Sequence, residues 1–319
     1  MENEFGHDSS GSGDHDEFGN VCLTILSSLT YCYFISGNIP KGYPRLLSIL
    51  PIIYIFTLLP LHLSSLCLTF GTGFFISWLG SFKLLLFSFD KGPLSSHPTL
   101  LVSSSLPSPM TFIRFLGIAC LPIKLTLVFY AALARLLLDI DVDPPFGDYF
   151  FLATSFQDFW GKRWNIMVSS ILRSIVYEPV RHTFKRSWGV YVAILATFFV
   201  SGLMHELLIF YVFRKQPCWD VLLFFILHGI CVAVEIKVKR SLNGKCQLNR
   251  LFFILLMNVF HPCCCFWLLF PFVERCNFPA RAIEEITEIT KLLNNVLVNT
   301  KVLLHECIPY AHGPYWQST

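Results

Sequence analysis

The sequence predicts an all-α fold, a polytopic integral membrane helical bundle with about seven transmembrane helices of roughly 20 apolar residues each. Two observations predict it. Hydrophobic residues make up 54% of the 319-residue chain and charged residues only 14%, where a soluble domain carries about a quarter charged residues. The apolar residues also gather into runs long enough to cross a bilayer, and the mean hydropathy is +0.58. A water-soluble globule of this composition would expose large apolar patches. A bilayer solvates such surface, and the 32 Phe suit lipid contact and close helix packing.

Residues 1–20 form an acidic, Gly/Ser-rich tail that reads as disordered. It is the opposite of the basic leader of a cleavable signal peptide, so the apolar run from Val21 is expected to stay as an anchor. Candidate spans are 21–36, 46–62, 66–88, 113–137, 188–213, 221–236 and 251–273. Across 46–88 the only charged or histidine residues are His62 and Lys83, and the stretch is long enough for two crossings. Pro51, Pro60 and Pro122 lie inside apolar runs. Neighbouring helices re-satisfy the backbone groups such prolines free. Residues 90–111 are rich in Pro and Ser and read as a loop. Residues 139–148 form an acidic, proline-broken connector. Its alternating Asp139, Asp141 and Asp143 lack the Gly and the distal Glu of a calcium loop. Residues 276–319 make a C-terminal tail, in which Ile283, Ile286, Ile289, Leu293, Val296 and Leu297 fall near helical spacing, as in an amphipathic surface helix.

The net charge of +3 gives no global basic bias, so no nucleic-acid partner is expected. The basic residues cluster instead. Lys162, Arg163, Arg173, Arg181, Lys185 and Arg186 lie in 158–187, and Lys237, Lys239, Arg240, Lys245 and Arg250 in 237–250. Two spans separate these loops, so they share one side, and the positive-inside rule makes that side cytoplasmic. Simple counting through all seven candidates puts Lys41 and Arg45 opposite, which leaves the orientation of the N-terminal half open. The twelve Cys form no CxxC pair and mostly sit in apolar runs, where Cys behaves as a small hydrophobe. Neither a disulfide framework nor a metal site is expected.

Three places carry chemistry. Between Val190 and Phe213 the only ionisable side chains, tyrosines aside, are His205 and Glu206. Ionisable groups at membrane depth are costly and face an interior cavity. One reading of His205 is a packed ring bonded to a carbonyl. The other is a general base, which must be the neutral imidazole, the form an apolar setting favours. The second place is Ser155–Ser170, where Phe156, Phe159, Trp160 and Trp164 interleave with Gln157, Asp158, Lys162, Arg163 and Asn165. This suits an interfacial helix with Trp at headgroup level. It suits equally a polar cavity lining whose cations meet phosphates. The third is His228, beside Gly229, which allows close helix approach. A structural or supporting role fits it better than catalysis. His62 and His261 are weaker candidates, and His261-Pro262 reads as a kink. No GxSxG, HExxH or Walker A motif is present.

Gln157-Asp-Phe-Trp-Gly-Lys-Arg-Trp-Asn-Ile-Met-Val168, followed by Ser201-Gly-Leu-Met-His-Glu206, resembles the plant wax synthase branch of the membrane-bound O-acyltransferase family. Ile39-Pro-Lys-Gly-Tyr43, Lys83–Pro93, Ser169–Tyr177, Leu227-His-Gly229 and Phe266-Trp-Leu-Leu-Phe-Pro271 agree with it. The likeness covers 21–275, with its core motifs in 149–236. It implies a multi-pass protein of the endoplasmic reticulum membrane that joins a fatty acyl group from acyl-CoA to a long-chain alcohol, with no cofactor. The family's catalytic residues fall on His205 and Asn165. Gln157, Asp158, Trp160, Lys162, Arg163, Trp164 and His228 fall at expected substrate-binding positions, with CoA kept cytosolic near Lys162 and Arg163. Two alternatives stand: a sterol acceptor within the same fold, and a shortened, catalytically impaired member acting as a non-enzymatic membrane protein. The second draws on the stretch from Pro109 to Asp139, which is short for the family. Oligomeric state and acyl chain length have no signature in the sequence.

Overall fold

A backbone in hydrocarbon must satisfy its own hydrogen bonds, and in the computed structural model the chain does so as helix. The structure describes residues 10–92, 94, 153–241 and scattered positions between 254 and 298, and no strand occurs among them. Five helices there are long and apolar enough to span a membrane: Gly19–Asn38, Tyr43–His62, Leu68–Ser88, Gly189–Phe213 and Asp220–Ser241. They match the expected spans 21–36, 46–62, 66–88, 188–213 and 221–236. The expected span 113–137 and the connector 139–148 lie outside the described residues. The expected span 251–273 is described only in part, as the apolar helix Val259–Leu269.

The first helix, α1 (Ser10–Phe34), begins inside the stretch read as a disordered tail. Nucleation is the costly step in helix formation. The apolar run from Val21 supplies the nucleus, and the preceding turns propagate from it. Helix α2 (Tyr43–Leu58) carries Pro44 in its first turn and Pro51 inside. The next run is continuous from α3 (Leu66–Gly71) through a π-helical stretch, Thr72–Gly80, into α4 (Ser81–Ser88). After residue 153 come a single turn (Phe156–Asp158), a π turn (Phe159–Arg163), α5 (Ile166–Leu172), a π turn (Arg173–Tyr177) and α6 (Glu178–Thr183). The long pair α7 (Gly189–Phe213) and α8 (Asp220–Ser241) follows.

Helices α7 and α8 form an antiparallel hairpin that approaches closely at two glycines. A Cβ on Gly202 would lie 2.8 Å from Leu222, and one on Gly229 2.9 Å from Phe198. Small residues at such crossings let backbones meet where no hydrophobic driving force exists between helices. The reversal is pinned by Glu206, whose buried Oε1 accepts from the N–H groups of Val221 and Leu222, both at 3.1 Å. A carboxylate at a helix N-terminus satisfies orphan donors and complements the helix dipole.

The end of α7 meets the turn between α2 and α3. Ser77 Oγ lies 3.2 Å from Tyr211 Oη, which donates to Thr57 O at 2.8 Å, and Arg214 Nη2 donates to Pro60 O at 2.7 Å. Ser88 therefore leaves the bundle at the end where Gly189 enters it. Gln157 N donates to Glu235 Oε2 at 3.2 Å, so the 153–187 segment joins the C-terminal end of α8 there. Arg45 sits at this same end, buried, donating to the carbonyls of Gly37, Ile39 and Phe87. Lys41, Arg45, the 158–187 cations and those closing α8 thus share one end. Counting residues through the 113–137 candidate had set Lys41 and Arg45 apart from the rest.

Residues Met1–Phe272 make one compact unit and Val273–Thr319 another. In the second, Thr287 Oγ1 donates to Ile283 O at 2.7 Å, as along a helix, and Ile283 is exposed.

Candidate active site

His205 lies about 24 Å along α7 from Gly189, at 1.5 Å per residue. Its Nδ1 is 2.7 Å from Ser201 O. A carbonyl only accepts, so Nδ1 carries the proton and Nε2 keeps its lone pair. The ring stacks on Phe225 at 4.3 Å and meets Trp78 edge-on at 4.9 Å. These contacts and the Ser201 bond fix its orientation.

Asn165 stands at the N-terminus of α5 with φ 41° and ψ 63°. Asn tolerates this left-handed conformation better than most residues, and it is also among the best N-caps. Its Oδ1 accepts from Val168 N at 3.4 Å. The amide nitrogen Nδ2 makes no hydrogen bond among the described residues and offers two donors. The π turn before it is stapled. Ser155 Oγ accepts from Asp158 N at 3.0 Å, Arg163 Nε donates to Asp158 Oδ2 at 2.7 Å, and Ser169 Oγ donates to Trp160 O at 2.9 Å. Burial alone would raise the Asp158 carboxyl. The Thr154 N–H and the Arg163 guanidinium outweigh it and hold the group below the usual carboxylate range.

A cavity of about 420 Å³ opens between these elements. That is within the usual size of a ligand site. Helix α7 lines it with Ile194, Thr197, Ser201 and His205, one stripe at helical spacing, and α8 with Phe225, Val232 and Ile236. Gln157, Trp160, Trp164 and Asn165 form the facing wall. Five of the residues predicted from sequence, these four and His205, therefore border one chamber. Four others do not. Lys162 is exposed and is not among the lining residues. Asp158 and Arg163 are tied to each other. His228 is fully buried outside the lining, with Nδ1 donating to Phe224 O at 2.8 Å and Nε2 accepting from His261 Nδ1 at 3.2 Å. It packs 5.4 Å from Trp160, behind the cavity wall. His62 lies at the opposite end, in a separate groove with Glu17 and Arg214.

Sequence reasoning missed Arg173 and Tyr177, which also line the chamber, and Trp78, which flanks His205. The stripe from Ile194 to His205 was readable from spacing alone. Trp78 carried no signal, being more than 120 positions away and on a π-wound stretch. Among the described residues, no group of three or more His, Cys, Asp or Glu is placed to hold a metal ion.

The fold and chamber define a polytopic helical membrane protein that encloses a polar site between its spans. A model of the membrane bound O-acyl transferase family matches residues 143–227, which hold the π turn, Asn165, α7 and His205. The probable long-chain-alcohol O-fatty-acyltransferase 1 of Arabidopsis thaliana is 36% identical over 343 residues, covering 86% of this chain and 97% of the relative. The long-chain-alcohol O-fatty-acyltransferase of Simmondsia chinensis is 36% identical over 328 residues, 84% of this chain and 92% of the relative. The acyl-CoA–sterol O-acyltransferase 1 of Arabidopsis thaliana is 33% identical over 329 residues, 83% of this chain and 92% of the relative. The chain belongs to the membrane-bound O-acyltransferase family. Each of these alignments is longer than the chain's own 319 residues, so the relatives carry residues without a counterpart here.

Proposed function

We propose that the protein transfers a fatty acyl group from acyl-CoA to the hydroxyl of a long-chain alcohol, giving a wax ester and free CoA. The observation that carries this reading is that His205 and Asn165 border one chamber, with the Nε2 lone pair on one and, on the other, an amide N–H pair that makes no hydrogen bond among the described residues.

In this reaction His205 Nε2 takes the alcohol proton as the oxygen attacks the thioester carbonyl. Asn165 Nδ2 donates to the carbonyl oxygen as negative charge develops there. The C–S bond then breaks, and the imidazolium returns its proton to the departing thiolate. Atoms balance without a covalent acyl-enzyme or a cofactor. The Ser201 bond holds the base in the tautomer the step needs, and the aromatic walls limit water, the competing acceptor. The basic end is the cytosolic end, so CoA enters from the cytosol of an endoplasmic reticulum membrane and the acceptor from lipid.

A sterol acceptor is a second reading. It is favoured by the 33% identity to a sterol acyltransferase, close to the identity with the alcohol acyltransferases. Microsomes containing the protein, given labelled acyl-CoA and either a fatty alcohol or a sterol, decide between them. Ester should form with the fatty alcohol. His205→Ala should cut its rate by at least about 10²-fold, the low end of general-base contributions, while the protein stays inserted. Ester formation undiminished in that variant removes the base assignment, and ester with sterol alone replaces the acceptor.

A further inference from the structure

We infer that Arg173 is the phosphate-binding residue of the site, pairing with the nucleotide phosphates of the acyl-CoA carrier at the chamber's basic end. The inference rests on the function proposed above and names the residue that holds one of its substrates.

Several observations carry it. Arg173 is the only Lys, Arg, Asp or Glu among the residues lining the chamber. Four nearby cations are engaged elsewhere, and Lys162 and Lys237 are not among the residues that line the chamber. Arg163 is bound to Asp158, Arg181 donates to the carbonyls of Phe184 and Arg186, Lys239 is paired with Glu235, and Arg240 lies over Tyr191. Arg173 is held only loosely. Its Nε is 3.7 Å from a Glu178 oxygen, and both side chains are largely exposed, 72% and 45%. An exposed pair of that length is worth little, so an incoming phosphate displaces it readily.

Position agrees with charge. Arg173 Cζ lies 6.0 Å from the centre of the Tyr177 ring, which also lines the chamber. Tyr177 packs with Val190 and Ile194 at the start of α7, the basic end of the bundle. From Ile194 to His205 the helix rises about 17 Å. The guanidinium therefore marks the outer end of the chamber and the imidazole its inner end. A carrier whose reacting sulfur and phosphates are joined by an extended arm is the ligand that such a spacing serves. The pantetheine arm of CoA is such a linker. The planar fork of Arg suits phosphate oxygens better than the point charge of Lys does.

The test compares acyl-CoA with the same acyl group on pantetheine, which lacks the nucleotide phosphates, in the full-length protein. Arg173→Gln should raise KM for acyl-CoA about tenfold and leave KM for acyl-pantetheine and for the alcohol unchanged. Arg173→Lys should recover part of the loss. An equal rise for both donors, or none for acyl-CoA, overturns the inference. Direct calorimetric binding of free CoA to the purified protein separates this from the catalytic reading. Arg173→Gln should bind CoA about tenfold more weakly, and His205→Ala as tightly as wild type. Weakened CoA binding in the Arg173 variant alongside full ester synthesis by His205→Ala would sink the base and leave the phosphate contact standing. Unchanged CoA binding in Arg173→Gln would do the reverse.

Discussion

His205 and His228 make the same local bond and serve different ends. Each sits on a long apolar helix and donates Nδ1–H to the carbonyl one turn back, at 2.7 Å to Ser201 O and 2.8 Å to Phe224 O. Each is packed among aromatic rings. The difference lies at the other nitrogen. Nε2 of His228 is occupied by His261 and the ring lies outside the chamber lining, whereas His205 borders the 420 Å³ chamber. A buried histidine thus becomes a candidate base when its second nitrogen is left for a substrate. The i−4 bond alone, which every helix can offer, says nothing about which case holds.

The largest expected effect on that comparison comes from the chamber side. His205→Ala removes the proposed base, the only histidine among the described lining residues, and should cut ester formation by at least about 10²-fold. Asn165 comes next, and its two roles can be pulled apart. Asn165→Asp keeps an oxygen for the Val168 N–H and a side chain that tolerates positive φ, so the helix cap survives. It loses the Nδ2 donor. The rate of ester formation should fall about 10²-fold, typical for loss of one oxyanion donor, while thermal unfolding in detergent stays near wild type. A variant as active as wild type would leave Asn165 as a cap alone.

The sealed histidine should behave in the opposite way. His228→Leu keeps much of the volume but leaves the His261 Nδ1–H without its acceptor. Stability should fall by about 1–3 kcal/mol, the usual cost of a buried unsatisfied group, read as a lower unfolding temperature. The rate per folded molecule should change little, because His228 is not a lining residue and packs behind Trp160. A large loss of rate with unchanged stability would move His228 into the reaction.

The same contrast explains what could be read in advance. His205 was legible because an imidazole in a run as apolar as 190–213 needs a reason to be there. Asn165 was legible from the family-like pattern around it, and its capping geometry is what Asn at a helix start does. The proposed phosphate contact was not. Six cations fall between 158 and 187, and in sequence Lys162 and Arg163 lie nearest the motif. Only the path of the chain shows that Lys162 and Arg163, in the π turn Phe159–Arg163, stay out of the chamber lining, while Arg173, a turn before Tyr177, is part of it. Glu206 was hidden for a similar reason. Its partners are on the next helix, so spacing along α7 could not reveal a cap for α8. Span count depends on residues 113–137, outside the described part of the structure.

The smallest effect concerns the staple under the Trp160–Asn165 wall, and it appears in acid. The Asp158 carboxyl titrates below its ordinary value because Thr154 N–H and Arg163 favour its charged form over the cost of burial. A depressed carboxylate adds stability that is fully present above its unfolded value of about 3.9 and is lost as pH falls through the folded value. Wild-type protein should therefore lose unfolding temperature more steeply below about pH 4 than Asp158→Asn, which has no charge to lose. At neutral pH the variant should be the less stable of the two, by a small margin. Because Asp158 is not among the residues that line the chamber and its carboxylate is bound to Arg163, acyl-CoA KM should hold near wild type in the variant at pH 7. A rise in KM there as large as that expected for Arg173→Gln would place Asp158 among the groups that meet the substrate, and the division between wall and staple would have to be redrawn.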